Sequence, residues 1–258
     1  MPTQPTLFLS HGAPDLILHP EDPAHAFLTA LGTTMTRPRA IVVASAHWET
    51  RTLAVEHGTR PRTIHDFSGF PAALYQRRYP APGNPALADQ LCDLLADWHP
   101  VPQERGYDHG VWAPLSLMFP AADIPVVAVS LLHGADGAEH LRLGQALESL
   151  RHDNVLVIGS GSATHNLGAL RHGPPPLWVT AFDDWLAKTA EQGDTKALAN
   201  YRTLAPHARE NHPSEEHLLP LLVALGAAGP GAKGKALHRG IAYGVLSMTA
   251  FAFTTGAA

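Results

Sequence analysis

Seventeen of the 258 residues are histidine, nearly as many as the 18 lysines and arginines together. Histidine titrates near neutrality and is the commonest metal ligand, so the ones that could do chemistry must be sorted from the rest. Three stand out by position. His11 follows Thr6-Leu7-Phe8-Leu9-Ser10. His47 follows Ala40-Ile41-Val42-Val43-Ala44-Ser45-Ala46. His165 follows Val155-Leu156-Val157-Ile158 and the small-residue turn from Gly159 to Ala163. Each preceding run is short and apolar, the pattern of a buried strand. A fourth, His217, stands just before an apolar helix, with Ser214 available as a cap and Glu215 and Glu216 suited to its first turn. In open α/β sheets, sites collect beyond the carboxyl ends of strands. A buried imidazole needs hydrogen bonds or a metal to offset its desolvation. Spacing alone does not show that the four converge, so a histidine-rich metal site and hydrogen-bonded structural histidines both stand at this point. The scattered remainder, His140 and His212 among them, read as surface or structural residues.

The elements that must position these residues alternate. After the first strand, a helix starts at Asp22 or Pro23 and runs through Leu31; the strand bearing His47 follows, and Leu53-Ala54-Val55 is a further short strand. Gly69 and Pro71 keep the aromatic stretch Ile64 to Pro71 a loop. Helices follow at Leu87–Trp98 and, after the loop Gly106 to Gly110, at Val111–Met118. A strand over Ile124–Leu131 and a helix over Glu139–Leu150 lead to the strand before His165. Leu177–Thr189 is helical, and Glu191–Arg209 partly so. Pro220 makes the apolar helix ending near Gly226 either kink or start at Leu219. The stretch from Gly229 to Gly234 reads as a flexible loop, and Ile241–Phe253 as a final strand. This alternation predicts a single α/β domain over residues 1–258, a central mixed β-sheet flanked by helices.

Composition narrows the function classes. The balance of 18 basic and 23 acidic residues gives −5 with no charge run, which argues against a nucleic-acid surface. No apolar run is long enough to span a bilayer, and Met1 to Gly12 lacks a basic segment and a long apolar run, so no membrane partner and a cytoplasmic location are expected. A single cysteine, Cys92, excludes an intrachain disulfide and a cysteine-rich zinc site; beside Leu87, Leu91 and Leu94 it reads as packing. Gly159-Ser160-Gly161 lacks the later glycine of a phosphate loop.

Seven stretches in order carry a resemblance. Ser10-His11-Gly12-Ala13-Pro14, Ser45-Ala46-His47-Trp48, Ile64-His65-Asp66-Phe67-Ser68-Gly69-Phe70-Pro71 and Tyr79-Pro80-Ala81-Pro82-Gly83 come first. Tyr107-Asp108-His109-Gly110, Thr164-His165-Asn166-Leu167 and Glu216-His217-Leu218-Leu219-Pro220-Leu221 follow. Together they resemble the class III extradiol ring-cleavage dioxygenases, most closely the DOPA 4,5-dioxygenase-like branch. The resemblance implies a metal site at the carboxyl ends of the strands, with His11 and His47 as ligands and His217 completing the set. It implies His165 as acid/base catalyst close enough to touch the metal, and His109 as a histidine on the substrate hydroxyl or bound oxygen. Many ring-cleaving enzymes use two histidines and a carboxylate on Fe(II); here Glu216 is the alternative to His217. Fe(II) is expected for activity, and an all-imidazole site also suits Zn(II), which His165 would then help to hold. The implied partners are a small aromatic diol and O2. His65, Asp66, Phe67 and Phe70 are candidates for the substrate pocket. Trp48 and Tyr107 could stack on the ring, and Asp108 could orient His109. Competing readings are a zinc hydrolase on the same histidines and a non-catalytic metal-binding protein. The choice of catechol and the oligomeric state stay open; for a substrate carboxylate Arg51, Arg77, Arg78 and Arg171 are available.

Overall fold

A computed structural model describes residues 3–256. Its strands are β1 (Thr6–Ser10), β2 (Ala40–Thr50), β3 (Ala54–Glu56), β4 (Val101–Gln103), β5 (Val126–Leu132), β6 (Val155–Gly161), β7 (Lys233–His238), β8 (Ile241–Ala242), β9 (Leu246–Ser247) and β10 (Ala250–Thr254). Eight of them form one mixed sheet in the order β4-β3-β5-β2-β6-β1-β10-β7, while β8 and β9 make a separate small hairpin. The centre is parallel: β5, β2, β6 and β1 run side by side in one direction. Antiparallel β10 and β7 complete one edge, and β3, antiparallel to β5, starts the other.

Strands covered on both faces lose the in–out alternation of a half-exposed sheet and read as continuous apolar runs. Successive side chains still point to opposite faces. Phe8, Val42, Val127 and Val157 enter one core layer with the helices Pro85–Leu94, Gly137–Ala146, Leu177–Gln192 and Leu219–Ala227. Leu7, Ile41, Val126 and Ile158 enter the other with Pro23–Thr34 and His109–Met118. Cys92 packs at the margin of the first layer.

Register brings the carboxyl ends level. Ser160 of β6 stands opposite Leu9 of β1 and opposite Ser45 of β2, so His11, His47 and the turn after β6 emerge at one end of the sheet. Between Ala44 and Glu49 the β2–β5 pairing slips: Ala44 faces Val129 but Glu49 faces Leu131. Such irregularities re-aim side chains near sites, and His47 lies within this one. The strand therefore does not stop at His47, as its sequence suggested, but continues to Thr50.

All nine residues of the helix Leu219–Ala227 are buried. Its approach to β6 requires glycine: a Cβ on Gly159 would stand 1.9 Å from the Pro220 carbonyl oxygen, and one on Gly161 2.1 Å from that of His217. These two glycines let the His217 backbone press on the end of β6, where Ser162 donates its N–H to the His217 carbonyl. The helix starts at Leu219 with Pro220 in its first turn and no side-chain cap. Ser214 instead donates to Glu216 Oε1.

Two further expectations need correction. Lys233–His238, read as loop in its first residues, is the edge strand β7, whose exposed lysines blunt the edge. Ile241–Phe253 is not one strand; a turn at Tyr243 and Gly244, both at positive φ, folds its first part into the β8–β9 hairpin, and a break at Met248 and Thr249 precedes β10. Glu191–Arg209 is partly helical, as expected, with the short helices Thr195–Ala199, Tyr201–Leu204 and Ala208–Asn211. No helix among the described residues is long and apolar enough to cross a membrane.

Candidate active site

His11 lies one residue beyond β1, its N–H continuing the ladder to the Gly161 carbonyl. Its Nδ1 stands 3.0 Å from Ser160 Oγ, and the Ser160 hydroxyl gives its proton to the Gly110 carbonyl at 2.5 Å. Ser160 must then accept from His11, so Nδ1 carries the ring proton and Nε2 presents a lone pair. His47 Nδ1 faces Asp66 Oδ2 at 3.5 Å, which favours the same tautomer. The two Nε2 atoms are 3.1 Å apart. Two lone pairs at that separation repel unless a cation lies against both. Nitrogens bound about 2.1 Å from one metal stand roughly 3 Å apart at a right angle, so the spacing suits a shared ion.

His217 presents a third imidazole nitrogen to the site by the same logic. Its Nδ1 donates to Glu216 Oε1 at 2.8 Å, while Nε2 is buried with no hydrogen-bond partner. Its ring centroid is 5.6 Å from that of His11 and 5.0 Å from that of His47. Glu216 thus acts on His217 Nδ1, and the imidazole holds the more buried position. Burial, followed by the neighbouring imidazoles, pushes His11 well below the ordinary histidine value. Burial lowers His47 to about 4 and also lowers His217. Neutral imidazoles close together, two with their Nε2 atoms paired and a third with its Nε2 orphaned, fit a divalent cation.

His165 stacks on His217 with ring centroids 3.3 Å apart and planes 9° from parallel. Burial holds it below the ordinary histidine value. No protein group among the described residues bonds its ring nitrogens, although the turn that carries it is held on every side. His165 N–H donates to Asn211 O, His212 Nε2 bonds Ala163 O at 2.9 Å, and Thr164 Oγ1 donates to Val245 O. A fixed backbone with a free ring suits a proton carrier.

His109 opens the helix His109–Met118, and its ligand atom lies within 4.8 Å of those of His11 and His47. Asp66 grips it twice: Oδ1 accepts its backbone N–H at 2.9 Å and Oδ2 its Nδ1 at 3.0 Å. Burial would raise the Asp66 pKa, but the His109 bonds win and lower it to about 2. One carboxylate therefore spans His109 and His47.

Asp108 was expected to orient His109. It instead caps the helix through Val111 N–H, accepts from Ser45 Oγ at 2.6 Å and pairs with Arg105 at 2.6 Å. Tyr107 does not reach the cavity either: it is fully buried and its hydroxyl donates to the Val126 carbonyl. His65 bonds the Arg77 carbonyl at 3.1 Å and lies beside Phe67 and Trp112, outside the lining. Trp48 is a core residue under Arg105.

The cavity holds about 270 Å³, room for one substituted aromatic ring. His11, His47, His109, His165 and His217 line it with Asp66, Phe67 and Phe70. Pro14, Ser162, Leu167 and Leu246 also line it and were not singled out from the sequence. Leu246 arrives on the β8–β9 hairpin, a placement with no local signature. Ser160, which sets the His11 tautomer, carried one weak signal, a hydroxyl near the end of the strand that leads to His165.

The comparisons with known proteins agree. Residues 8–254 match the family described as the catalytic LigB subunit of aromatic ring-opening dioxygenase. A 4,5-DOPA dioxygenase extradiol of Beta vulgaris is 42% identical over 97% of this chain and 96% of its own. The Escherichia coli protein of the same description is 42% identical over 86% of this chain and 84% of its own. The crystal structure of an uncharacterized Escherichia coli K12 protein superposes with a TM-score of 0.79 at 34% identity, covering 96% of this chain and 98% of that one.

Proposed function

This chain belongs to the LigB family of class III extradiol dioxygenases, and on that premise we propose that it opens the ring of a small catechol with O2 at an iron site formed by His11, His47 and His217. The observation that carries the reading is the close His11–His47 Nε2 pair, with the His217 ring 5.6 and 5.0 Å from theirs and its Nε2 buried without a partner. A ferrous ion bound there would supply the redox chemistry that joins a catechol to O2.

The protein groups supply the rest. His165, neutral through burial and free at its ring nitrogens, takes a proton from a catechol hydroxyl and returns it later in the reaction. His109, with Nδ1 committed to Asp66, leaves Nε2 to accept from a substrate hydroxyl. Phe67 and Phe70, 5.3 Å apart at 81°, flank the ring and exclude water.

The test is oxygen uptake by protein reconstituted anaerobically with Fe(II) and given a panel of catechols, beside a zinc-loaded sample. Uptake with iron alone and a yellow ring-opened product is the expected result. Iron-loaded protein that consumes no oxygen with any catechol would overturn the proposal.

A further inference from the structure

We propose that Arg105 is a positioning residue of the site, whose guanidinium closes a hydrogen-bonded ring around the backbone of His47 and so sets where that imidazole points. This rests on the reading of His47 as a metal ligand.

The sheet does not hold His47 itself. On one side β2 pairs with β6 only as far as Ser45, and on the other its pairing with β5 passes from Ala44 to Glu49. Among the described residues, Ala46, His47 and Trp48 therefore have no register partner. Backbone polar groups that leave a ladder need other partners, and at His47 side chains supply them. Its N–H donates to Ser45 Oγ at 3.2 Å, and its carbonyl accepts from Arg105 Nη2 at 2.8 Å. Asp108 joins the two arms: Oδ1 accepts from Ser45 Oγ at 2.6 Å and Oδ2 from Arg105 Nη1 at 2.6 Å. A planar fork of nitrogens spans a carbonyl and a carboxylate at fixed spacing, which an ammonium does not.

The fork is fixed from behind. Glu56, buried at the end of β3, accepts the N–H groups of Arg105 at 2.8 Å and Gly106 at 2.5 Å on Oε2, and that of Gly58 at 2.8 Å on Oε1. The guanidinium also lies over the Trp48 ring, 5.0 Å from its centroid. The inner side is equally tight: a Cβ on Gly110 would stand 2.5 Å from Ser45 Oγ and 3.1 Å from His47 Cδ2. Asparagine at 108 would still offer an oxygen to Ser45 and Val111, whereas losing the Arg105 fork frees the His47 carbonyl. Metal coordination tolerates errors of only about 0.2 Å, so a ligand loosened in this way holds its ion less well.

Metal-free protein is titrated with Co(II), whose visible bands report ligand geometry, and stability is read by urea denaturation. Arg105→Met is expected to bind Co(II) about 10–100-fold more weakly than the parent protein, with displaced bands. Arg105→Lys keeps a charge beside Asp108 without the fork; it is expected to displace the bands too, and it decides if Arg105→Met does not fold. Arg151→Met is the structural control, since Arg151 is a buried arginine that serves the Gln4 and Ala228 carbonyls outside the cavity lining. It should lower the urea midpoint and leave the bands unchanged. Parental Co(II) affinity and bands in the Arg105 variants overturn the inference, as do bands that Arg151→Met displaces equally. Oxygen uptake has no part in these readouts. A parent protein that binds Co(II) but opens no ring with iron therefore refutes the dioxygenase reading alone, and one that binds no Co(II) refutes both.

Discussion

His140 and His217 are both buried histidines, and their surroundings differ in one respect. At the corner between β5 and the helix Gly137–Ala146, His140 Nδ1 meets the Asp136 carbonyl at 2.8 Å and Nε2 accepts the Leu132 N–H at 3.1 Å. Both nitrogens are used, and the ring pins a loop. His217 has one nitrogen satisfied and the other orphaned, on a ring surrounded by those of His11, His47 and His165. His212 shows that an orphaned nitrogen alone is not enough. Its Nδ1 also lacks a partner, yet its neighbouring rings are Phe182 and Tyr201, and no ligand cluster among the described residues includes it. A metal centre needs both an open lone pair and convergence.

The largest expected effect separates these cases directly. His217→Ala or His47→Ala should weaken divalent-metal binding by more than the roughly 10–100-fold typical of losing a supporting residue and abolish oxygen uptake. His140→Ala should leave metal stoichiometry unchanged. Calorimetric titration with zinc reads both, and equal losses in the two variants would erase the contrast.

His165→Gln should retain metal and bind catechol while kcat falls about 10²–10⁴-fold, the usual worth of general acid–base catalysis. A variant that instead lost its metal would make His165 a ligand. Next, Asp66→Asn should lower kcat/KM about 10–100-fold, because the amide cannot hold His109 and His47 as the carboxylate does. Asp108→Asn should affect stability more than turnover, since Asp108 serves a helix end and Arg105.

Smaller effects concern folding. His140→Ala leaves the Leu132 N–H unpaired and should cost about 1–3 kcal/mol, read by urea denaturation. His212 gives a pH signature. Burial lowers its pKa from 6.5 to about 4, so between those values the unfolded chain binds a proton that the folded one does not. Stability is therefore full above 6.5 and falls as the pH drops toward 4, by about 1.4 kcal/mol per unit for this one group. His212→Phe should show a shallower fall across that window in metal-free protein.

The strand ends were legible because buried parallel strands are plain apolar runs and each led to a histidine. The near-continuous order of the seven stretches made His11, His47, His109, His165 and His217 nameable together. What stayed hidden was tertiary. Asp66 reaches His109 across 43 residues, while Asp108, its sequence neighbour, turned to the helix N-terminus where an aspartate is a preferred cap. Tyr107 looked like a stacking residue but is held at the Val126 carbonyl. The edge strand β7 was obscured because Lys-Gly-Lys is a poor strand sequence that only pairing with β10 enforces.

The central claim, that these histidines serve a dioxygenase, is tested most directly by mass spectrometry of the product formed by Fe(II)-loaded protein from a catechol under oxygen-18 gas. The account predicts that both atoms of one O2 appear in the ring-opened product and that the His165→Gln variant forms little of it. A product with no labelled oxygen, or a ring left closed, would contradict it.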